Sequence, residues 1–481
     1  MQELLDGIDQ SKVDFQQLQD GTRRIVSKGI SVGDFILAIP AHLVLFSDDF
    51  ELSKEEGRVL SNDGKYEYGI STFKLMMHII HLLQEEGCKK YYYLKSLPSS
   101  FNLPIEWADD KLELIRGTDL YKITLEKKKW LQDALKVAER RRNTNYKELL
   151  WAYSVISSRS FPKSRGQVCL WPVLDYLDHD PDSKIEWIIT ESEIKFRAMQ
   201  DVEAGEILYN NYGPKGNENL LNNYGFVLED NPNDYVKVTL NSTNVDFYEE
   251  KKQLLEEDKW LLFRDDDLPV GMIRACRILL CNQSEWSIFD NSGNTEISIR
   301  NEVASLMSLI GLLSSKLELY MASQEKVKYS KEQDLLIYIN SHVDILEHHI
   351  QLCITKLESV ACRADFFSLH HSDLDVEFLN LCLHKDLEEL DNDTLLCLCL
   401  IHERENSARF SSRLLNLNVI VTDDQDEDNH FINFVLPHFE SESINLNSLR
   451  WASCVLSSHG GYSADGSFGV WLPIKNIEVN D

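Results

Sequence analysis

Asn210-Asn211-Tyr212-Gly213, running on to Asn222-Asn223-Tyr224-Gly225-Phe226, is the most informative segment of the chain. Two tyrosines, each followed by glycine, bracket a short helical segment, Asn217 to Asn222. Gly213 and Gly225 permit positive φ or a close backbone approach, so each ring can stand clear of its own chain. Upstream lies Pro172-Val173-Leu174-Asp175-Tyr176-Leu177-Asp178-His179-Asp180, another dense set of polar groups in an apolar frame. These residues suggest a polar pocket. They show no Ser-His-Asp order, no phosphate-binding glycine loop and no metal spacing. A surface turn at Asp178-His179-Asp180 is the competing reading, since Asp and His are usually exposed.

Working outward, Ile185 to Ile189 and Glu193 to Phe196 read as strands flanking a turn, and Glu206 to Tyr209 follows the turn signal Glu203-Ala204-Gly205. Residues 21 to 46 also read as strands, with a turn at Val32-Gly33-Asp34 and a stop at Pro40. Between these blocks, Asp48 to Gly69 reads as loop. Phe73 to Leu83 has helical spacing (Leu75, Met76, Ile79, Ile80, Leu83), and residues 109 to 155 read as mostly helical. The charged run Glu126 to Lys129 is expected to be a solvated helix face. Long amphipathic runs occupy 300 to 360, Glu302 to Met321 and Gln333 to Leu357 among them. Beyond 365 helical and strand signals mix, and Asp423 to Asp428 reads as an exposed acidic loop.

A chain of 481 residues is too long for one compact core, so two or three domains are expected. No stretch approaches the run of about twenty apolar residues needed to cross a membrane. The acidic start, Met1 to Val13, has neither a basic n-region nor an apolar h-region. The expectation is a cytoplasmic, or also nuclear, protein without a membrane partner. The formal charge is −30, from 79 acidic and 49 basic residues, which disfavours nucleic acid and favours a basic partner. Ten cysteines are scattered singly, unlike a disulfide framework. The densest group, Cys382, His384, Cys397 and Cys399, sits in apolar runs with the wrong spacing for zinc, so no metal is expected.

Trp151-Ala152-Tyr153-Ser154-Val155-Ile156-Ser157-Ser158 is echoed by Trp451-Ala452-Ser453-Cys454-Val455-Leu456-Ser457-Ser458. One such pair falls short of the usual standard for a repeat, and chance similarity of two amphipathic segments is the expectation. His459 stands where the first copy has Arg159.

The ordered set resembles the SET-domain subfamily typified by plant Rubisco large-subunit lysine methyltransferase and the fungal ribosomal-protein lysine methyltransferases. Gly21 to Pro40 is similar to its opening strand pair. Tyr93 to Pro98 with Phe101, Pro104 and Trp107, then Glu113 to Thr118, resembles its helical insertion. Ser158-Arg159-Ser160-Phe161 resembles its arginine motif, and Asp178-His179 stands at its Asn-His pair. Tyr212-Gly213, Asn217, Leu220-Leu221, Tyr224-Gly225-Phe226, Asn231, Pro232 and Asp234 resemble its closing motif. Residues 266 to 360, with Arg300-Asn301-Glu302, resemble its helical substrate-binding domain; the tail beyond 365 is not covered.

The resemblance implies an α+β chain: a β-rich SET core at 15–235 with a helical insertion at about 50–150, a mostly α-helical substrate-binding domain at 236–365, and a mixed C-terminal region at 366–481. It implies S-adenosylmethionine as cofactor. Asp20, Gly21 and Thr22 would hold its methionine and ribose parts, Arg159 its carboxylate, and Asp178 and His179 its amino group and adenine. Asp175 would brace the arginine segment. Tyr212 would be the catalytic tyrosine, Tyr224 would line the methyl-transfer pore, and Phe226 would wall the lysine channel. An in-line methyl transfer gains mainly from alignment and electrostatics, and an aromatic channel helps the lysine, with a free pKa of about 10.4, to arrive neutral. Two positions differ from the family pattern: Arg23 stands at a glycine, and Asp178 at an asparagine. The implied activity is lysine N-methylation of a basic non-histone substrate, a ribosomal protein or translation factor. Histidine methylation by the same fold and a non-catalytic binding module are the alternatives.

Overall fold

A computed structural model of the chain describes residues 2–6, 8–18, 23–53, 56–57, 60, 69–141, 144–162, 168–183, 185–240, 248–289, 296–368, 392–406, 446–462 and 467–473. These divide into two units, one of residues 1–234 and 319–342, the other of residues 235–318 and 343–481.

The first unit is built from short strands with helices between them. β1 (Val13–Gln17) and β2 (Arg23–Ser27) form an antiparallel hairpin. The turn expected to hold Asp20, Gly21 and Thr22 lies outside the described residues. β3 (Phe35–Pro40) pairs with β9 (Glu193–Ala198), which pairs with β8 (Ile185–Ile189). β9 alternates strictly, with Ile194, Phe196 and Ala198 buried, as one face against a core requires. β4 (Leu45–Phe46), β5 (Ser160–Pro162) and β6 (Val168–Leu170) make a sheet with β6 central. β7 (Asp178–His179) lies parallel to β10 (Tyr209–Asn210). That parallel pair brings the His179 strand beside the chain leading to Tyr212. The Glu206 to Tyr209 strand expected from the sequence shrinks to β10 and a single bridge, Val26 to Ile207.

The helices follow the apolar spacing. α1 (Gly69–Leu82) buries Leu75, Met76, Ile79 and Ile80 completely or nearly so. α2 (Asp119–Arg141) carries the charged run at 126–129, but that run is not simply solvated. Lys127 donates to Asn223 Oδ1 at 2.9 Å and Lys128 to the Trp107 carbonyl at 3.1 Å, so two of its lysines tie elements down. α3 (Tyr146–Arg159) starts at a capping box: Glu148 N–H donates to Asn145 Oδ1 at 3.0 Å, and Asn145 N–H to Glu148 at 3.1 Å. Its last residue is Arg159, so a well-started helix delivers that side chain. α4 (Asn217–Tyr224) ends at Gly225, φ +81°, whose N–H bonds back to the Leu220 and Leu221 carbonyls.

The second unit pairs β11 (Tyr235–Thr239) with β12 (Lys259–Phe263) and combines this pair with helices and a further sheet. α5 (Ile299–Lys328) and α6 (Gln333–Ala361) are the long helices expected from periodicity. The Arg300-Asn301-Glu302 segment is a buried polar network: Glu302 accepts two bonds from Arg277 at 2.6 and 2.9 Å, Asn301 donates to the Arg277 carbonyl, and Arg300 donates to Glu285 at 2.8 Å. The expectation that no apolar stretch nears membrane length was too strict, because an 18-residue window of α5 reaches a mean hydropathy of 1.3. Val303, Leu306, Leu309 and Leu313 are buried in the protein, and in all 33 % of that window is buried.

The chance reading of the Trp151 and Trp451 echo does not survive the structure. β13 (Ala364–Ser368), α7 (Asn392–Asn406), α8 (Leu446–His459), β14 (Gly460–Tyr462) and β15 (Phe468–Pro473) complete the second unit. β13, β15 and β14 form a sheet with β15 central, the same antiparallel arrangement as β4, β6 and β5. In the first sheet Ser160 pairs with Leu170 and Pro162 with Val168; in the second Gly460 pairs with Val470 and Tyr462 with Phe468. α3 and α8 enter these hairpins in the same way, and α1 on α3 is matched by α7 on α8. An aromatic pair packs at each sheet, but from different strands: Phe161 of β5 lies on Trp171 at 4.1 Å, and Phe366 of β13 lies near Trp471 of β15 at 4.7 Å. A helix that covers one face of a hairpin is a self-consistent unit, and this chain carries it twice.

Candidate active site

α3 ends, and β5 begins, at the rim of a cavity of about 130 Å³ in the first unit. Arg159, Asp175, Tyr212 and Tyr224, all expected from the sequence, line it together. The Asp175 carboxylate is fully buried and accepts from Arg159 Nη1 at 3.3 Å and from the Tyr93 hydroxyl at 2.8 Å. Arg159 Nη1 also donates to the Asp175 carbonyl at 2.9 Å. Asp175 therefore meets Arg159 through both its carboxylate and its carbonyl. Burial pushes the Asp175 carboxyl up, against the opposing pull of the guanidinium and the Tyr93 hydroxyl.

Asp175 is held by a strained turn. Val173, wholly buried, has φ +77°, a rare conformation for a β-branched residue, and it opens the 3₁₀ turn Leu174–Tyr176. Nothing in the sequence signals this.

The Tyr212 ring stacks on His179 at 4.9 Å and lies 4.9 Å from the Tyr224 ring. Its hydroxyl donates to the Leu177 carbonyl at 2.8 Å, and its N–H donates to His179 Nδ1 at 3.1 Å. Burial pushes the Tyr212 phenol well up and that of Tyr224 up to about 12, so both stay protonated at neutral pH. Phe226 packs against Tyr224 and His179, with centroids 6.2 and 6.3 Å apart, behind the cavity rather than on it. Asp178 is the outlying member: its side chain is 58 % exposed and lies 3.7 Å from Arg24. Arg23 turns its guanidinium to the Ser96 carbonyl and over the Tyr176 ring.

Burial pushes the His179 imidazole below its ordinary value of 6.5, while the Asn210 carbonyl and Asp180 oppose the shift. A histidine with a lowered native pKa contributes stability that is fully present above the unfolded value and is lost as pH falls through the native one. The expected result is a melting temperature that falls below about pH 6.5 less steeply in His179→Asn than in the parent. Parallel pH–melting curves would show that His179 contributes nothing.

Gly225 is required twice over, by its φ of +81° and because a Cβ there would come 2.3 Å from the Phe101 carbonyl oxygen. Gly225→Ala is expected to cost about 1–3 kcal/mol for the backbone conformation alone, more with the clash, and thermal unfolding measures it. Asn217 fastens the same segment. Wholly buried, it bonds the Leu228 carbonyl and N–H at 2.9 and 3.0 Å, and its own N–H donates to Asp234 at 2.7 Å.

Other lining residues were missed by sequence reasoning. Asn210 is 1 % exposed, and its Oδ1 accepts from Trp187 Nε1 at 3.1 Å, which fixes the amide's orientation. Trp187 belongs to an aromatic stack with Phe161, Trp171 and Phe196 that walls one side. Lys215 also lines the cavity. Among the described residues, three buried polar atoms around it have no hydrogen-bond partner: Arg159 Nε, Asp175 Oδ1 and Asn210 Nδ2. Buried polar groups are normally satisfied, so a cluster of orphans at a cavity points to a polar ligand. The metal expectation concerned Cys382 and His384, which lie outside the described residues, and Cys397 and Cys399, which are buried in α7.

Residues 25–213 match the SET domain and residues 242–356 the Rubisco LSMT substrate-binding domain. Residues 25–213 are thus a SET domain. A ribosomal lysine N-methyltransferase of Schizosaccharomyces pombe is 27 % identical over 296 residues, 54 % of this chain and 54 % of that protein. The ribosomal lysine N-methyltransferase 1 of Saccharomyces cerevisiae is 29 % identical over 187 residues, 29 % of this chain and 32 % of that protein. The chain thus spans about half the length, or less, of these curated relatives. The crystal structure of the SET domain of LSMT bound to lysine and AdoHcy superposes with a TM-score of 0.63, at 18 % identity, covering 75 % of this chain and 91 % of that one. Rubisco LSMT bound to AdoMet gives 0.62 at 20 % identity, covering 75 % and 92 %. At that identity the superposition speaks to fold.

Proposed function

We propose that the chain is an S-adenosylmethionine-dependent lysine N-methyltransferase acting on a basic ribosomal protein or translation factor, with domain boundaries at 15–235, 236–365 and 366–481. The observation that carries this reading is the cavity beneath Tyr212 and Tyr224, where Arg159, Asp175 and Asn210 each present a buried, unsatisfied polar atom. That donor and acceptor set suits a ligand with an amino-acid moiety. Arg159 would hold its carboxylate and His179 its adenine, with Asp178 at the exposed edge. Asp20, Gly21 and Thr22 would complete the cleft.

The cofactor supplies an electrophilic methyl group. The chain's own residues do the rest. Tyr212 commits its hydroxyl proton to the Leu177 carbonyl, so its oxygen lone pairs are left to accept from an amine N–H. Tyr224 and Phe226 would shape the channel by which a lysine side chain arrives. The guanidinium of Arg159 and the ammonium of Lys215 both disfavour a second cation, so the acceptor amine enters more readily neutral.

The names of the two yeast relatives support a ribosomal substrate. So does charge, since the net −30 suits a basic partner. The test is labelled cofactor with purified ribosomal subunits and translation factors. Label on a lysine of a basic protein is expected. Label on histidine, or none while the cofactor binds, rejects the reading.

A further inference from the structure

The charged lining of the 130 Å³ cavity is Arg159, Lys215 and Asp175, two cations to one carboxylate, in a chain of net charge −30. The neighbouring cleft of the same unit, about 570 Å³, is lined among the described residues by Asp180, Asp182, Asp201 and Glu206. The small cavity is thus positive against the trend of the molecule. Its one carboxylate is already engaged by Arg159 and Tyr93. Lys215 is half-buried and forms no ion pair among the described residues; its ammonium lies 5.9 Å from the Tyr224 ring centroid. Burial pushes its pKa down, and its charge is felt at His179.

The position of Lys215 is imposed by its backbone. Gly213, φ +93°, turns the chain two residues before it. The Lys215 carbonyl accepts from buried Asn231 Nδ2 at 2.8 Å, and Asn217, two residues on, is locked in the network already described. A cation held away from water without a counter-charge is costly. The cost disappears when a ligand brings the missing anion.

We propose that Lys215 is the second cation, beside Arg159, of a site for the carboxylate of the cofactor's methionine moiety. This rests on the reading that the chain binds S-adenosylmethionine. A carboxylate offers about four lone-pair sites. A planar guanidinium satisfies only some of them, and a flexible ammonium reaches the others as a point charge. The same pair repels the ligand's own ammonium, which sets the direction in which the methionine moiety lies.

The test compares two ligands by calorimetry on the full chain: S-adenosylhomocysteine, which has the carboxylate, and decarboxylated S-adenosylmethionine, which lacks it. Lys215→Met should weaken the first about ten- to a hundred-fold, the scale of one hydrogen bond to a charged group, and leave the second unchanged. Lys215→Arg should keep most of the affinity for both. Should the methionine variant fail to fold, Lys215→Gln gives the same comparison. Equal losses for both ligands, or no loss in a folded variant, overturns the proposal. So does a methyl group on Lys215 itself by mass spectrometry after incubation with S-adenosylmethionine, which would make it an acceptor. If the parent chain binds neither ligand, the functional reading falls and this inference with it; binding without a Lys215 effect removes the inference alone.

Discussion

Tyr212→Phe should lower kcat by about 10² or more, the scale of losing one preorganised polar contact at a transition state, while cofactor affinity changes little. The Tyr212 oxygen is held by its bond to the Leu177 carbonyl, and the ring is held between His179 and Tyr224. Removing the oxygen leaves the ring where it is, so ground-state packing is nearly preserved. What would be lost, on the proposed function, is the acceptor that orients the amine at the moment of attack. The Leu177 carbonyl loses its donor as well, so a stability loss of about 1–2 kcal/mol accompanies the kinetic one. Single-turnover kinetics and calorimetry on the folded variant separate these effects. A folded Tyr212→Phe chain that keeps most of its turnover would move the catalytic role to Tyr224.

Arg159→Ala should act twice. It removes the guanidinium that is to hold the cofactor's carboxylate, at about 2–5 kcal/mol of affinity, the range for truncating one partner of a buried charge pair. It also strands the Asp175 carboxylate, which is wholly buried, at a cost of about 3–5 kcal/mol of stability. The two losses can be told apart, because Asp175 has a second partner in the Tyr93 hydroxyl. Combining Arg159→Ala with Asp175→Asn removes the uncompensated charge. Thermal stability should return in part, while cofactor affinity should not. An unchanged dissociation constant in folded Arg159→Ala would take Arg159 out of the binding site, and recovery of both properties would make the pair purely structural.

Local pattern carried much of this site. Tyr212-Gly213 and Tyr224-Gly225 were legible because a positive φ at Gly225 is a local demand that glycine meets best. The helix carrying Arg159 was legible only in part: residues 109 to 155 read as mostly helical, whereas α3 runs on to Arg159. Asn210 and Lys215 were not, although they stand inside or next to the motif, because nothing in a sequence separates an asparagine that faces a cavity from one that faces water. The Trp151 and Trp451 echo was under-weighed for a related reason. Eight similar residues are weak as a string, and they become compelling only when strand order and hairpin register repeat with them.

The sequence by itself determined the elements and their chemistry: alternation made β9, 3.6-residue spacing made α1, α5 and α6, and the tyrosine–glycine pairs marked the ring positions. These are short-range properties, written in residues a few positions apart. Only the tertiary structure decided which polar groups share one cavity, that Asp175 is buried while Asp178 is largely exposed, and that the cavity is positive in an acidic chain. Burial and charge balance are sums over residues far apart in the chain. Arg159, Asp175 and Lys215 line one cavity, and Tyr93 reaches Asp175, although the four stand far apart in the chain.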